Sequence, residues 1–339
     1  MVIDTDNFFM SLAITEAWKY QGLTYPNPAV GCSIVLDKKI LSVSAHKKAG
    51  LPHAEVNALQ EAYYKLTDDT SILSLKNSAE IHTFLLNKHN GIFHNVVLYT
   101  TLEPCSHQGK TPSCASLISA LGIKKVYVGS RDFNPVAKAG NNILKNCGCS
   151  VKSGVLQREC DALLEPFKAW QESSFIFFKW AQRLDGSVDG GVISSIESRE
   201  HVHALRDRCD LLIVGGETVR VDRPTLDARL VNGKAPDILI YSRRKDFDRN
   251  IPLFNVANRQ VIISDELSSI KKYKNIMIEG GPKLFALTRE IVDYYLSYIA
   301  PSFGGKSSIG IEIMNFDILN IQKETQDIMM WMKLIEGNE

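Results

Sequence analysis

The stretch Thr101–Cys114, TLEPCSHQGKTPSC, decides how the first half of this chain is interpreted. Cys105 follows Pro104, downstream of the β-rich run 96–100, and Cys114 opens a predicted helix. At the N-terminus of a helix the macrodipole favours a thiolate, which is the form of cysteine that binds metal. The two cysteines therefore have the residue type and the placement of metal ligands.

A third ligand is found upstream, where His53-Ala54-Glu55 begins another predicted helix directly after a proline. One imidazole and two thiolates form a ligand set for Zn²⁺ that leaves the fourth tetrahedral position to water, whose pKa the metal lowers. Glu55 points to a different side of its helix from His53, so it can take the proton of the water and pass it to a leaving amine. This order of residues is typical of zinc nucleobase deaminases.

Two alternatives accompany this interpretation. Taken singly, His53 is an ordinary histidine and the cysteines are small buried hydrophobes. A structural zinc site would also need a fourth protein ligand. Cys32 is the nearest candidate, and we interpret it as a core residue. The usual spacing between the two cysteines of this signature is two residues, whereas eight residues separate them here.

The rest of the chain alternates β-rich runs with helical patterns, which predicts two α/β domains of a 339-residue protein. We predict a first domain over residues 1–153, a bridging helix over 154–172 and a second domain over 173–339. The β-rich runs are 30–36, 96–100, 126–128, 175–178, 211–214, 238–241, 261–264 and 276–278, and the helical patterns are 8–20, 53–64, 114–121 and 156–170. Residues 65–95 are polar and are interpreted as a surface insertion, partly helical, without chemistry of its own.

Composition narrows the class of protein. The net charge of +1 gives no electrostatic reason to expect nucleic acid or an anionic membrane as a partner. No run approaches the roughly 18 apolar residues of a membrane span, and the acidic N-terminus does not resemble a secretory signal. Seven cysteines in a long chain do not form a disulfide framework. We therefore expect a cytoplasmic enzyme with a small-molecule substrate.

Several motifs together resemble the bifunctional deaminase-reductases of riboflavin biosynthesis. In that family the two cysteines are separated by the same long interval as in segment 101–114. The resemblance covers most of residues 8–155. The other matching segments are Pro26-Asn27-Pro28, Val30-Gly31-Cys32, Ala49 to Glu55, and Arg131 to Pro135 followed by Gly140. The departures are Tyr25, where the family usually has His, and Ser113, where Pro is frequent.

The resemblance implies a fold and a substrate for the first domain. The fold is a cytidine-deaminase-like α/β/α sandwich of three layers. The substrate is 2,5-diamino-6-(5-phosphoribosylamino)pyrimidin-4-one, which loses its 2-amino group as ammonia. The resemblance also implies that four residues line the pocket, namely Asn27, His46, His107 and Lys110. Without it, Asn27 is a turn residue and the other three are solvated loop residues.

The second half contains strands that end in paired glycines, at Gly215-Gly216 and Gly280-Gly281, where backbone donors can approach a phosphate. Neither is a full dinucleotide fingerprint. The order of the pieces resembles the reductase half of the same family, which is related in fold to dihydrofolate reductase. The pieces are 179–186, 203–206, 215–219, 222–229, 279–282 and 298–301. The departures are a short stretch between Gly186 and Ser195, Arg223 in place of Asp, and Asp227 in place of Thr.

For this half the resemblance implies NADPH, which delivers a hydride to C1 of the ring-opened ribosyl group and gives a ribitylamino product. The residues along the cofactor are then Ala181, Thr218, Asp222, Gly281, Pro282, Lys283, Leu284, Phe285, Ala286 and Leu287. Those along the substrate are Arg206, Leu226, Arg229 and Glu279. An arginine pair suits the 5-phosphate, and Lys179 is the candidate catalytic residue that orients the sugar or stabilises an alkoxide.

Two other functions remain open. A deaminase of nucleic acid or free nucleosides would share the zinc ligands, but it leaves the second half unexplained. A deaminase with a degenerate reductase half would keep only the first step. Family members are often oligomeric, so we also expect a homo-oligomer.

Overall fold

The computed structural model describes residues 4–106, 112–132, 139–310, 312–324 and 326–335. It divides into two compact units, Met1–Phe167 and Lys168–Glu339, which we call the N-terminal and the C-terminal unit. The helix Gln157–Glu172 contains the boundary between them. The division of the chain at 153 and 173 stays a prediction. Among the helices of the described residues, none has both the length and the apolar character of a membrane span.

The N-terminal unit is built on a five-stranded sheet. Its elements are α1 (Thr5–Trp18), β1 (Gly31–Leu36), β2 (Lys39–Ala45), α2 (Ala54–Thr67), α3 (Ser78–Lys88), β3 (Val97–Leu102), α4 (Cys114–Ala120), β4 (Lys125–Ser130), α5 (Gly140–Asn146), β5 (Ser150–Ser153) and α6 (Gln157–Glu172). The strand order is β2-β1-β3-β4-β5. β1 is antiparallel to β2 and β3, whereas β3, β4 and β5 run parallel.

Alternation along β1 separates the two faces of this sheet. Ser33 donates a hydrogen bond from its hydroxyl to the Phe9 carbonyl of α1, 2.8 Å away. Cys32 and Ile34 point to the other face, where they pack in the same core as the buried side of α2. A Cβ at Gly31 would lie 1.9 Å from the Ala13 carbonyl oxygen, so only glycine lets α1 pack so closely. The unit therefore has the predicted three layers.

Segment 65–95 is partly helical, as predicted, but it is not confined to the surface. It forms a 3-10 helix, Thr70–Ser74, and α3. Its side chains Ile72, Ile81, Leu85 and Phe93 are fully buried in the core of the N-terminal unit. The surface interpretation is wrong for these residues, because the polar positions that suggested it lie on the outward sides of short amphipathic elements.

The C-terminal unit is built on an eight-stranded sheet of order β12-β13-β11-β6-β10-β7-β8-β9. Its elements are β6 (Phe175–Arg183), α7 (Ile196–Arg208), β7 (Leu211–Gly215), α8 (Gly216–Asp222), β8 (Asp237–Tyr241), β9 (Val261–Ser264), β10 (Asn275–Glu279), α9 (Pro282–Thr288), β11 (Tyr294–Ala300), β12 (Phe316–Glu324) and β13 (Asp327–Leu334). β11, β6, β10, β7, β8 and β9 run parallel, and β13 is antiparallel to both of its neighbours, β11 and β12.

Two departures from the predicted elements have physical reasons. β6 continues beyond the predicted run 175–178 to Arg183, so Lys179 and Ala181 lie on the strand, because β10 pairs with β6 as far as Lys179 and β11 pairs with it as far as Arg183. β2 was not predicted, because the turn before it is formed by Asp37 and Lys38, which are not a usual hairpin pair. Both adopt positive φ, 48° and 65°, a conformation that is usually found for Asn-Gly in two-residue hairpin turns.

Because one side of segment 65–95 is buried, we expect a substitution on that side to lower the stability of the fold. Leu85→Ala should lower the free energy of unfolding by about 2–5 kcal/mol, because it leaves a cavity in the core. Leu86 is 45% exposed and is the matched control, for which Leu86→Ala should change stability by less than about 0.5 kcal/mol. Urea unfolding of both variants checks this, and equal effects would contradict the buried placement of α3.

Candidate active sites

Two helix starts and one strand end position the three predicted metal ligands. His53 is the residue that precedes α2, in an extended conformation. Cys114 is the first residue of α4, and the Ser113 hydroxyl before it accepts the backbone N–H of Ser116 as an N-terminal cap. Cys105 lies three residues beyond β3. The predicted placement of His53 and Cys114 at helix starts is confirmed.

The ligand atoms of these three residues all lie within 4.8 Å of one another. Nδ1 of His53 is 3.7 Å from Sγ of Cys105 and 3.5 Å from Sγ of Cys114. A tetrahedral zinc ion holds nitrogen and sulfur ligands roughly 3.5 Å apart, given bond lengths of about 2.0 and 2.3 Å. The donor set therefore fits zinc. Within the described ranges, no fourth His, Cys, Asp or Glu belongs to it.

The electrostatics of this set favour a thiolate at Cys105. Hydrogen bonding from the Cys114 thiol and from His53 lowers the pKa of Cys105 against the effect of burial. The backbone N–H of Cys114 also donates to Sγ of Cys105, at 3.4 Å. Such a thiolate is the form that binds a metal.

Glu55 lies beside the set, in the first turn of α2, and is 4% exposed. Burial raises the pKa of Glu55 to about 7, although the nearby His53 acts in the opposite direction. A carboxyl group with a pKa near neutrality can both take up and release a proton at physiological pH. The geometry thus places a proton carrier next to the three ligands.

Asn27 and His46 lie together at the same site. The Asn27 amide nitrogen is 3.1 Å from Nε2 of His46, whose Nδ1 is 3.1 Å from the Pro52 carbonyl oxygen. The ring centroids of His46 and His53 are 5.5 Å apart. Burial lowers the pKa of His46 to about 4, so the ring is neutral at physiological pH and can hold the Asn27 side chain in place. The other two predicted pocket residues, His107 and Lys110, lie outside the described residues.

Sequence reasoning missed the role of Glu103. Its buried carboxylate accepts backbone N–H groups of Asp132, Ala139 and Asn141, at 3.4, 3.2 and 2.9 Å. Gly140 lies against the same loop, where a Cβ would be 1.8 Å from the Pro104 carbonyl oxygen. These contacts fix the residues just before Cys105. Glu103 lies within the 101–114 motif, and that membership is its only sequence signal, because a lone glutamate has no distinctive pattern.

In the C-terminal unit, a buried charge network forms where β10 ends beside the middle of β6. Glu279 and Lys179 are neighbours in register on these strands, and their charged groups are 3.7 Å apart. Nε and one Nη of Arg206, on α7, donate to the two carboxylate oxygens of Glu279 at 2.8 and 2.9 Å. Burial alone would raise the pKa of Glu279, but Arg206 and Lys179 outweigh it and lower the pKa to about 2.

This network changes the expected role of one arginine. The fork of Arg206 is engaged by Glu279, and its other Nη donates to the Asp227 carbonyl at 3.2 Å. The guanidinium of Arg206 is therefore not free to bind a phosphate through two parallel hydrogen bonds. The side chain of Arg229 is 61% exposed and forms an ion pair with Asp227 at 2.7 Å. The predicted arginine pair is separated into one buried and one exposed residue.

Leu226 is held by Arg259, a residue that the sequence analysis did not indicate. Leu226 adopts φ 54°, a left-handed conformation that is strained for leucine. Arg259 donates to the carbonyls of Leu226 and Thr225 at 2.8 and 2.7 Å. A single arginine in an irregular segment carries no sequence signal, so only the fold identifies it.

The predicted cofactor residues share one edge of the C-terminal sheet. Ala181 is near the end of β6, Thr218 and Asp222 are on α8 after β7, and 281–287 follow β10. The carboxyl edge of parallel strands is where α/β proteins bind ligands. Leu284 and Phe285 are exceptions among the side chains, because they pack in the hydrophobic core. These two side chains are therefore not available to a ligand at this edge.

Two family models match the chain. Residues 3–130 match the zinc-binding region of cytidine and deoxycytidylate deaminases, and residues 174–329 match the RibD C-terminal domain. The riboflavin biosynthesis protein RibD of Aquifex aeolicus is 31% identical over 95% of this chain and 94% of its own length. The chain belongs to the RibD family.

Other RibD proteins extend the match. RibD of Actinobacillus pleuropneumoniae is 31% identical over 90% of this chain and 86% of its own length. Among solved structures, Acinetobacter baumannii RibD superposes with a TM-score of 0.62 at 26% identity, covering 98% of this chain and 99% of that one. A deaminase/reductase of Thermotoga maritima has a TM-score of 0.64 at 27% identity, with the same coverage.

Membership of the RibD family confirms the predicted class of enzyme. The chain joins a deaminase with a zinc-binding region to a reductase, and both act in riboflavin biosynthesis. The predicted fold class is also confirmed. A deaminase of nucleic acid or nucleosides does not explain residues 174–329.

The charge network predicts a pH-dependent stability of this RibD-family chain. The folded-state pKa of Glu279 is depressed from 4.5 to about 2, so its ionised form stabilises the fold above pH ~4.5, and that contribution is lost as the pH falls toward 2. Glu279→Gln should destabilise the fold by on the order of 3 kcal/mol at pH 7, since it leaves buried cations without a partner.

Urea unfolding between pH 7 and pH 3 measures this effect. The difference between the wild type and Glu279→Gln should shrink as the pH falls below ~4.5. Glu290 is exposed, and Glu290→Gln is the control that should show a small difference without this trend. A difference that stays constant with pH at position 279 would mean that the ion pairs do not stabilise the fold.

Proposed function

We propose that this chain removes the 2-amino group of 2,5-diamino-6-(5-phosphoribosylamino)pyrimidin-4-one and then reduces the ribosyl group of the product with NADPH. The observation that carries the proposal is the open three-donor set of His53, Cys105 and Cys114 with Glu55 beside it. The Thermotoga maritima neighbour supports the substrate. It is described as a diaminohydroxyphosphoribosylaminopyrimidine deaminase and 5-amino-6-(5-phosphoribosylamino)uracil reductase.

His53, Cys105 and Cys114 would hold the zinc ion. Zinc bound by one imidazole and two thiolates supplies an activated water for attack on the ring carbon that bears the amino group. Glu55 would carry the two protons of that water one after the other, the first to the ring nitrogen and the second to the amine, which leaves as ammonia while the oxygen stays on the ring carbon. Its raised pKa suits both directions of transfer.

Asn27 and His46 would orient the pyrimidine ring. His46 is neutral and its two ring nitrogens contact Asn27 and Pro52, so it acts as a fixed support for the Asn27 amide. The amide then offers its remaining donor and acceptor atoms to the substrate. The substrate contacts of His107 and Lys110 remain predictions.

In the reductase, NADPH supplies the hydride, and the carboxyl edge of β6, β7 and β10 is the proposed cofactor site. The residues there are Ala181, Thr218, Asp222 and 281–287. Lys179 orients the ring-opened sugar, because its ammonium group is fixed by Glu279 at the same edge. Arg229 is the arginine available for the 5-phosphate, whereas Arg206 holds Glu279. The substrate contacts of Leu226 and Glu279, the homo-oligomer and the cytoplasmic location remain predictions.

The decisive experiment follows ammonia release and NADPH oxidation in one reaction with zinc-loaded protein and the diaminopyrimidine substrate. The wild type should give both signals. Glu55→Gln should keep its zinc and lower ammonia release by about 10²–10⁴-fold, because the proton carrier is lost. The same variant should still oxidise NADPH when 5-amino-6-(5-phosphoribosylamino)uracil is added directly. Ammonia without NADPH oxidation in the wild type would instead indicate a degenerate reductase half.

The metal ligands are tested by zinc content. Cys105→Ser should lose most of the bound zinc, since a hydroxyl does not replace a thiolate in a three-ligand site. Cys147 is exposed, and Cys147→Ser is the control that should retain one zinc per chain. Elemental analysis after dialysis measures both variants, and a full zinc content in Cys105→Ser would refute the ligand assignment.

A further inference from the structure

Tyr298, on β11, is fully buried, yet its polar end has a specific partner. Its hydroxyl lies 2.6 Å from Nδ1 of His201, on α7, and the two ring centroids are 6.0 Å apart. Burial lowers the pKa of His201 to about 4. The imidazole ring is therefore neutral, and its Nδ1 can accept a hydrogen bond from the Tyr298 hydroxyl. Among the described residues, no other group forms a hydrogen bond with the imidazole of His201. The hydroxyl of Tyr298 therefore connects β11 to α7.

The same tyrosine ring borders Lys179. In the parallel pairing of β11 with β6, Leu296 lies opposite Lys179, and Tyr298 is two residues further along. Alternation therefore places Tyr298 on the same face of the sheet as Lys179. The Lys179 ammonium nitrogen is 5.9 Å from the centre of the Tyr298 ring, within the range of a cation–π contact.

Lys179 is thus held from two sides, by the ring of Tyr298 on β11 and by the carboxylate of Glu279 on β10. Arg206 on α7 is a further charged group that faces it. Helix α7 fixes both neighbours of the lysine, since Arg206 binds Glu279 and His201 binds Tyr298. A lysine has a long flexible stem, so two fixed walls are needed to place its ammonium group reproducibly.

We propose that Tyr298 and His201 are positioning residues of the reductase, which set the location of the Lys179 ammonium group. Tyr298 provides the wall opposite Glu279, and His201 holds the tyrosine ring in the required orientation. The inference rests on the proposed function, in which Lys179 orients the sugar. If Tyr298 only filled space in the hydrophobic core, an apolar ring would be enough, and the hydrogen bond to His201 would not be needed.

The test uses the full chain and three variants. Tyr298→Phe keeps the ring and removes the hydroxyl, His201→Leu removes the acceptor, and His201→Gln restores an acceptor. Tyr273→Phe is the matched control, because it deletes a comparable hydroxyl bond, to Asp237 at 2.9 Å, at the amino ends of the strands. Ammonia release by each variant serves as the measure of an intact N-terminal unit.

With 5-amino-6-(5-phosphoribosylamino)uracil as substrate, Tyr298→Phe and His201→Leu should each lower the reductase kcat by about 10–100-fold, because the reacting groups are misplaced. The double variant should be no worse than either single variant, since both lose the same bond. His201→Gln should recover most of the rate. Ammonia release and the NADPH dissociation constant, measured by fluorescence, should stay within about twofold. Reduced thermal stability with unchanged kcat and KM would make the pair structural and overturn the proposal.

A second readout does not depend on reductase activity. The ring of Tyr298 favours the charged form of Lys179 through the cation–π contact. Tyr298→Leu removes this ring, so the pKa of Lys179 should decrease. The pH dependence of Lys179 acetylation, followed by mass spectrometry, should therefore shift to lower pH. If the wild type oxidises no NADPH, the proposed function fails. The acetylation profile then decides the positioning claim by itself, and an unshifted profile overturns it.

Discussion

Three metal-binding side chains from three separate segments have to meet within a few ångströms in the N-terminal unit, and the layered arrangement around its sheet satisfies this requirement. His53 precedes α2 and Cys114 begins α4, so both helices direct their N-termini at the loop that follows β3. Cys105 is in that loop, and it receives the backbone N–H of Cys114. Positive helix ends next to thiolates are electrostatically favourable. The local structure and the chemistry of the site therefore support each other.

The supporting contacts hold the loop before Cys105 from two sides. Glu103 collects three backbone N–H groups from residues on both sides of 133–138, and Gly140 lets α5 approach the Pro104 carbonyl. The loop before Cys105 is thus fixed by a buried carboxylate and by a close backbone contact. Catalytic groups that are held from behind in this way need little rearrangement when the substrate binds.

The C-terminal unit meets a different constraint, since Glu279 and Arg206 bring opposite charges into the interior. A buried carboxylate is tolerated only when its partners compensate for lost hydration. Arg206 does so with two hydrogen bonds, and Lys179 adds a second positive charge. The network also joins α7 to β6 and β10, so the same contacts that balance the charge connect the helix to the edge where the cofactor is proposed to bind.

The sequence by itself determined the two α/β halves, the helix starts at His53 and Cys114, and the family, because these depend on local periodicity, helix-terminus chemistry and motif order. It did not reveal the buried side of α3, the Asp37–Lys38 hairpin, the occupation of the Arg206 fork or the role of Arg259. Each of these depends on partners far away in the chain: Leu85 is buried by other elements, and Arg206 meets a carboxylate 73 residues later. Only the tertiary structure brings such partners together, and a single sequence holds no local signal of a long-range contact.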